Sequence, residues 1–229
     1  MAVTLNEIAS DIRNTATSGD LTYSFRIEDE QIYYWIHQTR AMLISQAIAK
    51  RQDITDNWIQ IIKCLEMEEV DASECCLDIT NCKILRSVQQ LPVTIETAAD
   101  NSIIRVTTST GDIISKSNPF EAKYVEYNKW TSKKPQWFIQ NNYLYITNFS
   151  LVKYVNVYGL FEDPSALAAF NSCDGSSCFD IDNPYPVTNK MANEIAAYIM
   201  KAKVVPFMSF KQDDTNDGNN ESAQLQGKP

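Results

Sequence analysis

Ile103-Ile104-Arg105-Val106-Thr107-Thr108 runs into Ser109-Thr110-Gly111-Asp112 and then Ile113-Ile114. A β-branched stretch, a turn containing glycine and a second β-branched stretch predict a β-hairpin, because branched side chains suit a pleated surface and Gly supplies the positive φ of a tight reversal. Working outward, Trp137 to Ile139 and Tyr143 to Thr147 flank Gln140-Asn141-Asn142, a second hairpin whose asparagines tolerate positive φ. Further strands are predicted where Ile59, Ile61, Leu65 and Met67 alternate around Lys63, from Cys82 to Val88, and from Val152 to Tyr158 before Gly159. Asn118-Pro119-Phe120-Glu121-Ala122 suits a brief helix start between the hairpins.

Both flanks of this β region change period. Thr4 and Glu7 are spaced as a capping box for a helix over Leu5 to Asn14, with Leu5, Ile8, Ala9 and Ile12 on one stripe. A longer helix is expected from Asp29 to Arg51, acidic at its start and closed by Lys50 and Arg51. It carries two apolar stripes, one through Ile32, Trp35, Ile36, Thr39, Leu43 and Ala47 and the other through Ala41, Ile44 and Ile48. Cover on more than one side is implied, supplied by the β region or by another subunit. Toward the C-terminus, Asp163-Pro164-Ser165 opens a short helix through Ala169. A last helix spans Thr188 to Lys203 with Met191, Ile195, Tyr198, Ile199 and Ala202 on one face, and Pro206 stops it. The expected fold class is α+β, with N-terminal and C-terminal helices packed around a central, mainly antiparallel β region. The corresponding parts are an N-terminal helical part (1–57), the β region (58–160), a C-terminal helical part packing with the N-terminal helices (161–210) and a flexible polar tail (211–229). That tail has no aromatic residue and cannot offset the entropy of its own ordering.

With 229 residues, 44% hydrophobic, the chain is long enough to bury a substantial core. A net charge of −9 argues against gripping nucleic acid by its phosphates, which needs clustered Lys and Arg, but suits a surface past which DNA slides. No cleavable signal is evident, and no apolar run approaches the roughly 20 residues of a membrane helix. A chain made in a cytosol keeps thiols reduced, so Cys64, Cys75, Cys76, Cys82, Cys173 and Cys178 read as thiols rather than a disulfide frame.

The residues assemble no evident active site. His37, the only histidine, sits on an apolar face of the long helix and has no Ser or Cys to serve. Cys173 and Cys178 have a short spacing, but the other four cysteines supply no matching pair for structural zinc. Glu66, Glu68, Glu69 and Asp71 read as a solvated face, Asp180-Ile181-Asp182-Asn183 lacks the glycine and glutamate of a calcium loop, and no glycine loop cradles phosphate. No catalytic residue, metal ligand or cofactor is assigned, and the chain is read as a non-enzyme.

Asp29-Glu30-Gln31-Ile32-Tyr33-Tyr34-Trp35-Ile36-His37-Gln38-Thr39-Arg40-Ala41, with Glu69-Val70-Asp71-Ala72-Ser73-Glu74-Cys75-Cys76 and Gly159-Leu160-Phe161-Glu162-Asp163-Pro164, resembles structural proteins of crAss-like and related tailed phages of Bacteroidota. In that likeness the chain looks like a head-to-tail connector, or neck ring, protein. The resemblance implies a virion structural protein, made in the host bacterial cytoplasm and assembled as a homo-oligomeric, dodecameric adaptor ring beneath the portal. Its implied partners are the portal protein, neighbouring copies, the next neck or tail ring, and DNA passing through the channel without sequence-specific contact. A membrane is not among them. The competing reading is a tail-associated β module that binds carbohydrate or a host surface through Trp130, Trp137, Tyr143 and Tyr145.

Overall fold

The computed structural model describes residues 3–17, 27–71, 83–96, 102–119, 134–148 and 152–206. Its strands are β1 (Gln60–Asp71), β2 (Lys83–Ser87), β3 (Ile103–Thr108), β4 (Ile113–Lys116), β5 (Gln136–Gln140), β6 (Tyr143–Thr147) and β7 (Tyr154–Gly159). They close into a barrel in the order β1-β2-β6-β5-β4-β3-β7, with β7 returning to β1. The expected α+β layering, with N-terminal and C-terminal helices packed around a central, mainly antiparallel β region, is therefore corrected: the strands form a closed barrel that covers its own apolar face. Every strand sends side chains into the interior. Ile62, Leu65 and Met67 of β1 meet Leu85, Val106, Ile114, Trp137, Leu144, Ile146, Val155 and Val157 in one buried cluster.

Both predicted hairpins are present. Val106 faces Ile114 and Thr107 faces Ile113, and Gly111 takes φ 96° in the turn. Thr108 closes that turn, its N–H donating to Asp112 O at 2.9 Å and its hydroxyl accepting from the Asp112 N–H at 3.1 Å. In the β5–β6 hairpin Asn141 and Asn142 sit at φ 52° and 62°, the paired positive values of the turn whose twist matches its strands. Six of the seven neighbouring pairs are antiparallel and one, β4 with β5, is parallel. Parity requires such an exception, since strands cannot alternate in direction all the way around a closed ring with an odd number of members. The parallel pair also explains why β4 and β5 are not joined by a tight turn.

Gly159 lies between Gln60 on one side and Ile103 on the other. A Cβ there would approach Ile103 Cδ1 to 2.7 Å and Phe161 Cζ to 3.2 Å, so glycine lets both side chains pack closely at the strand exit. Immediately after it Leu160 and Phe161 are fully buried, and the Leu160 N–H donates to Ser102 O at 2.9 Å. A 3₁₀ helix over Pro164–Ala169 follows, capped by Asp163 Oδ1, which accepts from the Ser165 N–H at 2.8 Å.

Two compact units divide the chain: Ala41–Pro186, which holds the barrel, and Met1–Arg40 with Val187–Pro229. In the second unit, α1 (Leu5–Ala16) begins with the expected capping box: Thr4 Oγ1 accepts from the Glu7 N–H at 3.1 Å, and Glu7 Oε2 accepts from the Thr4 N–H at 2.8 Å. Tyr33 Oη donates to Asn6 Oδ1 at 2.7 Å, and Arg13 pairs with Asp29. The boundary between units falls inside α2 (Asp29–Ala49), which stops short of the predicted Arg51. Arg51 adopts φ 59°, letting the Gln52 N–H reach back to Ala47 O at 3.0 Å. α3 (Asn189–Ile199), N-capped by Thr188, packs against α1 and buries Met191, Ala192, Ile195, Ala196 and Ile199.

A π-helical segment over Met200–Val204 continues α3. The buried series therefore moves from Ile199 to Val204, while Tyr198 and Ala202, expected on the inner face, are exposed. The wider turn rotates the stripe by one residue. Among the described residues no helix is long and apolar enough to cross a membrane.

Candidate functional site

The feature that stands apart from ordinary barrel packing is on β1. The buried positions Gln60 and Ile62 are even-numbered, and Leu65 and Met67 are odd-numbered. Because strand side chains alternate with period two, a change of parity requires an extra residue, and the pairing with β7 shifts between Ile62 and Leu65. Cys64 is at that bulge, at φ 53°. The expectation that Ile61 shares a face with Leu65 and Met67 is corrected for this reason, Ile62 pointing inward instead.

Asn156 on β7 satisfies the displaced backbone. Its Oδ1 accepts from the Cys64 N–H at 3.0 Å, and its Nδ2 donates to Thr108 O on β3 at 3.4 Å. One side chain thus ties the bulge to two other strands. The Cys64 sulfur is disulfide-bonded to Cys173, across a sequence separation of 109 and a Cα–Cα distance of 5.2 Å. This corrects the reading of both residues as free thiols. The reason is geometric, since barrel closure brings the segment after β7 beside β1, which cysteine spacing along the chain cannot reveal.

The segment carrying Cys173 is itself well defined. Asn171 bridges Ser177, the Ser172 N–H donates to Ser176 O at 2.7 Å, and Gly175 turns at φ 82°. Asp174 Oδ1 accepts from the Ser176 hydroxyl at 2.7 Å and from its N–H at 3.0 Å. These donors, the hydroxyl foremost, hold the Asp174 carboxyl below the usual carboxylate range, and the positive charge of Lys63 on β1 adds to the effect. Phe170 anchors the segment's start in the barrel core, and the Cys178 N–H returns to Phe170 O at 2.9 Å. Cys178 is a half-buried free thiol, with its sulfur 3.6 Å from Ser172 Oγ. A cleft of about 520 Å³ opens beside the disulfide, lined by Lys63, Cys64, Leu65, Glu66, Val88, Gln89, Ser109, Tyr154 and Phe170 to Cys173.

Around the rest of the barrel, cations lie over aromatic rings on neighbouring strands. Arg105 lies 4.0 Å from the Tyr158 ring centroid, Arg86 lies 5.1 Å from that of Tyr143, and Lys116 lies 5.3 Å from that of Trp137. Arg86 also pairs with Glu68, directly opposite it in register. These contacts join neighbouring strands without creating a reactive centre. Glu66 and Glu69 are exposed and Glu68 is half-buried. Exposed apolar side chains remain on this unit, including Ile104 at 42%, Val93 at 56% and Ile113 at 70% exposure.

Among the described residues, those selected from the sequence do not converge on one site. His37 is buried in α2. Trp137 and Tyr145 are buried too, Trp137 with its indole N–H donating to Ile114 O at 3.1 Å, so they offer no exposed sugar platform. Trp130, the residues from Ala72 to Cys82, Phe120 to Ala122 and the 211–229 segment lie outside the described residues. Among the described residues no group of three or more His, Cys, Asp or Glu is placed to hold a metal. Sequence reasoning missed the Cys64–Cys173 pair. The local signal was the parity break between Ile62 and the pair Leu65 and Met67, which the unbroken alternation from Ile59 and Ile61 to Leu65 and Met67 concealed.

The quoted motif from Gly159 to Pro164 forms the barrel exit, where Gly159 and Phe161 serve packing rather than chemistry. A family model described as phage tail ring protein 2 matches residues 7–224. No curated protein matches the chain.

Proposed function

The chain belongs to the phage tail ring protein 2 family, and from that premise we propose that it is a head-to-tail connector subunit, forming a closed ring beneath the portal that extends the DNA channel and joins capsid to tail. Family membership makes it a structural ring protein of the phage virion. The match over residues 7–224 carries the proposal, since it takes in both compact units and much of the C-terminal polar segment. A cyclic ring needs two different, mutually complementary faces on each subunit. Ile104 and Ile113 on the barrel, and Tyr34 at 58% and Tyr198 at 42% exposure on the helical unit, are apolar surface available for such contacts.

The net charge of −9 supports a channel that DNA traverses without adhering. In this reading the ring is dodecameric, its neighbours are the portal and the next neck or tail ring, the subunit is made in the host cytoplasm, and it has no catalytic role. The polar 211–229 segment contributes to contacts with a neighbouring protein.

Co-expression with the portal, followed by mass measurement and electron microscopy, tests this. The expected result is a dodecameric ring coaxial with the portal, formed less completely after removal of residues 211–229. A chain that stays monomeric both alone and with the portal would sink the connector reading.

A further inference from the structure

We propose that Cys64 and Cys173 form a redox-operated lock, open as a dithiol in the reducing cytoplasm where a virion subunit is made and closed as a disulfide once the particle is released. The compartments rest on the virion reading above. The lock itself rests on the barrel alone.

Three observations carry it. The two residues meet at a Cα–Cα distance of 5.2 Å, inside the range a disulfide bridges without backbone movement. They also line an open cleft, Cys173 exposed and Cys64 half-buried, so a small thiol such as glutathione reaches the sulfurs. Accessible disulfides of this kind exchange readily, unlike those sealed in a core. Finally, each side of the bond has its own support: Asn156 holds the bulge, while Phe170 and the Asn171–Ser177 bridge hold the other segment. Opening the bond therefore releases the segment from the bulge and leaves the barrel intact.

The chemistry needs a disulfide oxidant, for which glutathione disulfide serves. The Cys173 thiolate attacks one of its sulfurs, forming a mixed disulfide and expelling one glutathione thiolate. The Cys64 thiolate then attacks the Cys173 sulfur and expels the second. Two protein thiols are oxidised, one glutathione disulfide is reduced to two glutathione thiols, and the two protons pass to those products.

The test equilibrates the purified full-length chain in glutathione buffers from reducing to oxidising. Peptide mass spectrometry without reduction reads the linkage, and hydrogen exchange and thermal melting read the structure. The oxidised chain should yield a Cys64–Cys173 peptide, melt roughly 5–10 °C above the reduced chain, and protect residues 170–178 more strongly, with the barrel strands protected in both states. Cys178→Ser should behave as the parent, and Cys64→Ser should lose the redox response. A bond from Cys173 to Cys178 instead, a bond that survives a cytosol-like glutathione ratio, or equal protection of residues 170–178 in both states would overturn the lock. Alkylation of acid-quenched infected cells and of released particles then addresses the compartments: free thiols in the first and the linked peptide in the second are expected. Linkage already complete in the cells overturns the timing, whereas absence of the chain from particles sinks the virion reading and leaves the lock standing.

Discussion

The β1 bulge at Cys64 and the π segment after α3 are the same event in two kinds of secondary structure: each accommodates one residue beyond the regular repeat. In the strand, one residue exchanges inside for outside, so Leu65 and Met67 reach the core only because the bulge at Cys64 absorbs the extra residue. In the helix, one residue rotates the stripe by about 100°, and the buried position slides from where Lys203 would stand to Val204. The supports differ accordingly. The bulge has a side-chain acceptor, a disulfide and a capped neighbouring turn, whereas the π segment shows no side-chain cap bond. Of the two irregularities, the one inside the barrel carries the more contacts that hold it.

Inserting one alanine after Cys64 attacks this contrast most directly. The insertion should turn Leu65 and Met67 outward and abolish the cooperative unfolding transition, while Cys64→Ser, which keeps the residue count, should retain the barrel. Circular dichroism melts of the two variants decide it, and a folded insertion variant would mean the bulge does not set the register. Next in size is Asn156→Ala. Leaving the Cys64 N–H without its acceptor should cost about 1–3 kcal/mol, measured by denaturant unfolding; a loss below a few tenths would show that the covalent bond braces the bulge alone.

Thr188→Ala asks whether the helical unit depends on its caps as the barrel depends on Asn156. Removing the hydroxyl that accepts from the Met191 N–H at 3.3 Å should cost about 1 kcal/mol. The smallest effect is expected for deletion of the exposed Lys201. Loss of one residue from the π segment should restore a regular helix that still buries Val204, changing stability by under about 1 kcal/mol. A loss as large as that for the alanine insertion after Cys64 would erase the distinction between the two irregularities.

These two regions also mark where local reading of the sequence stops. Thr4 with Glu7, Thr188, the Thr110-Gly111-Asp112 turn and the Asn141-Asn142 turn were all legible, because their hydrogen bonds and φ values involve residues a few positions apart. Closure was not, since it is made by β1 with β7, β3 with β7 and β2 with β6, pairs distant in sequence. The parallel β4–β5 pair follows from closure and strand parity rather than from any property of those strands. The Cys64–Cys173 bond was obscured in the same way, and reasoning from compartment to free thiols passed over the geometry that unites them. The helix overrun at Arg51 was a smaller miss, since left-handed backbone at a non-glycine residue has no strong sequence signal.

Closure has one more consequence. An open sheet ends in strands whose unpaired N–H and C=O groups invite the next copy, and such recruitment has no natural stopping point. Here the returning β7–β1 pair supplies partners for both strands that would otherwise be terminal. Among the described residues, copies of this chain held at high local concentration therefore have no terminal barrel strand along which to zip into fibres. Growth is left to the fit of side chains between subunits, a kind of contact that ends by itself when a circle is complete.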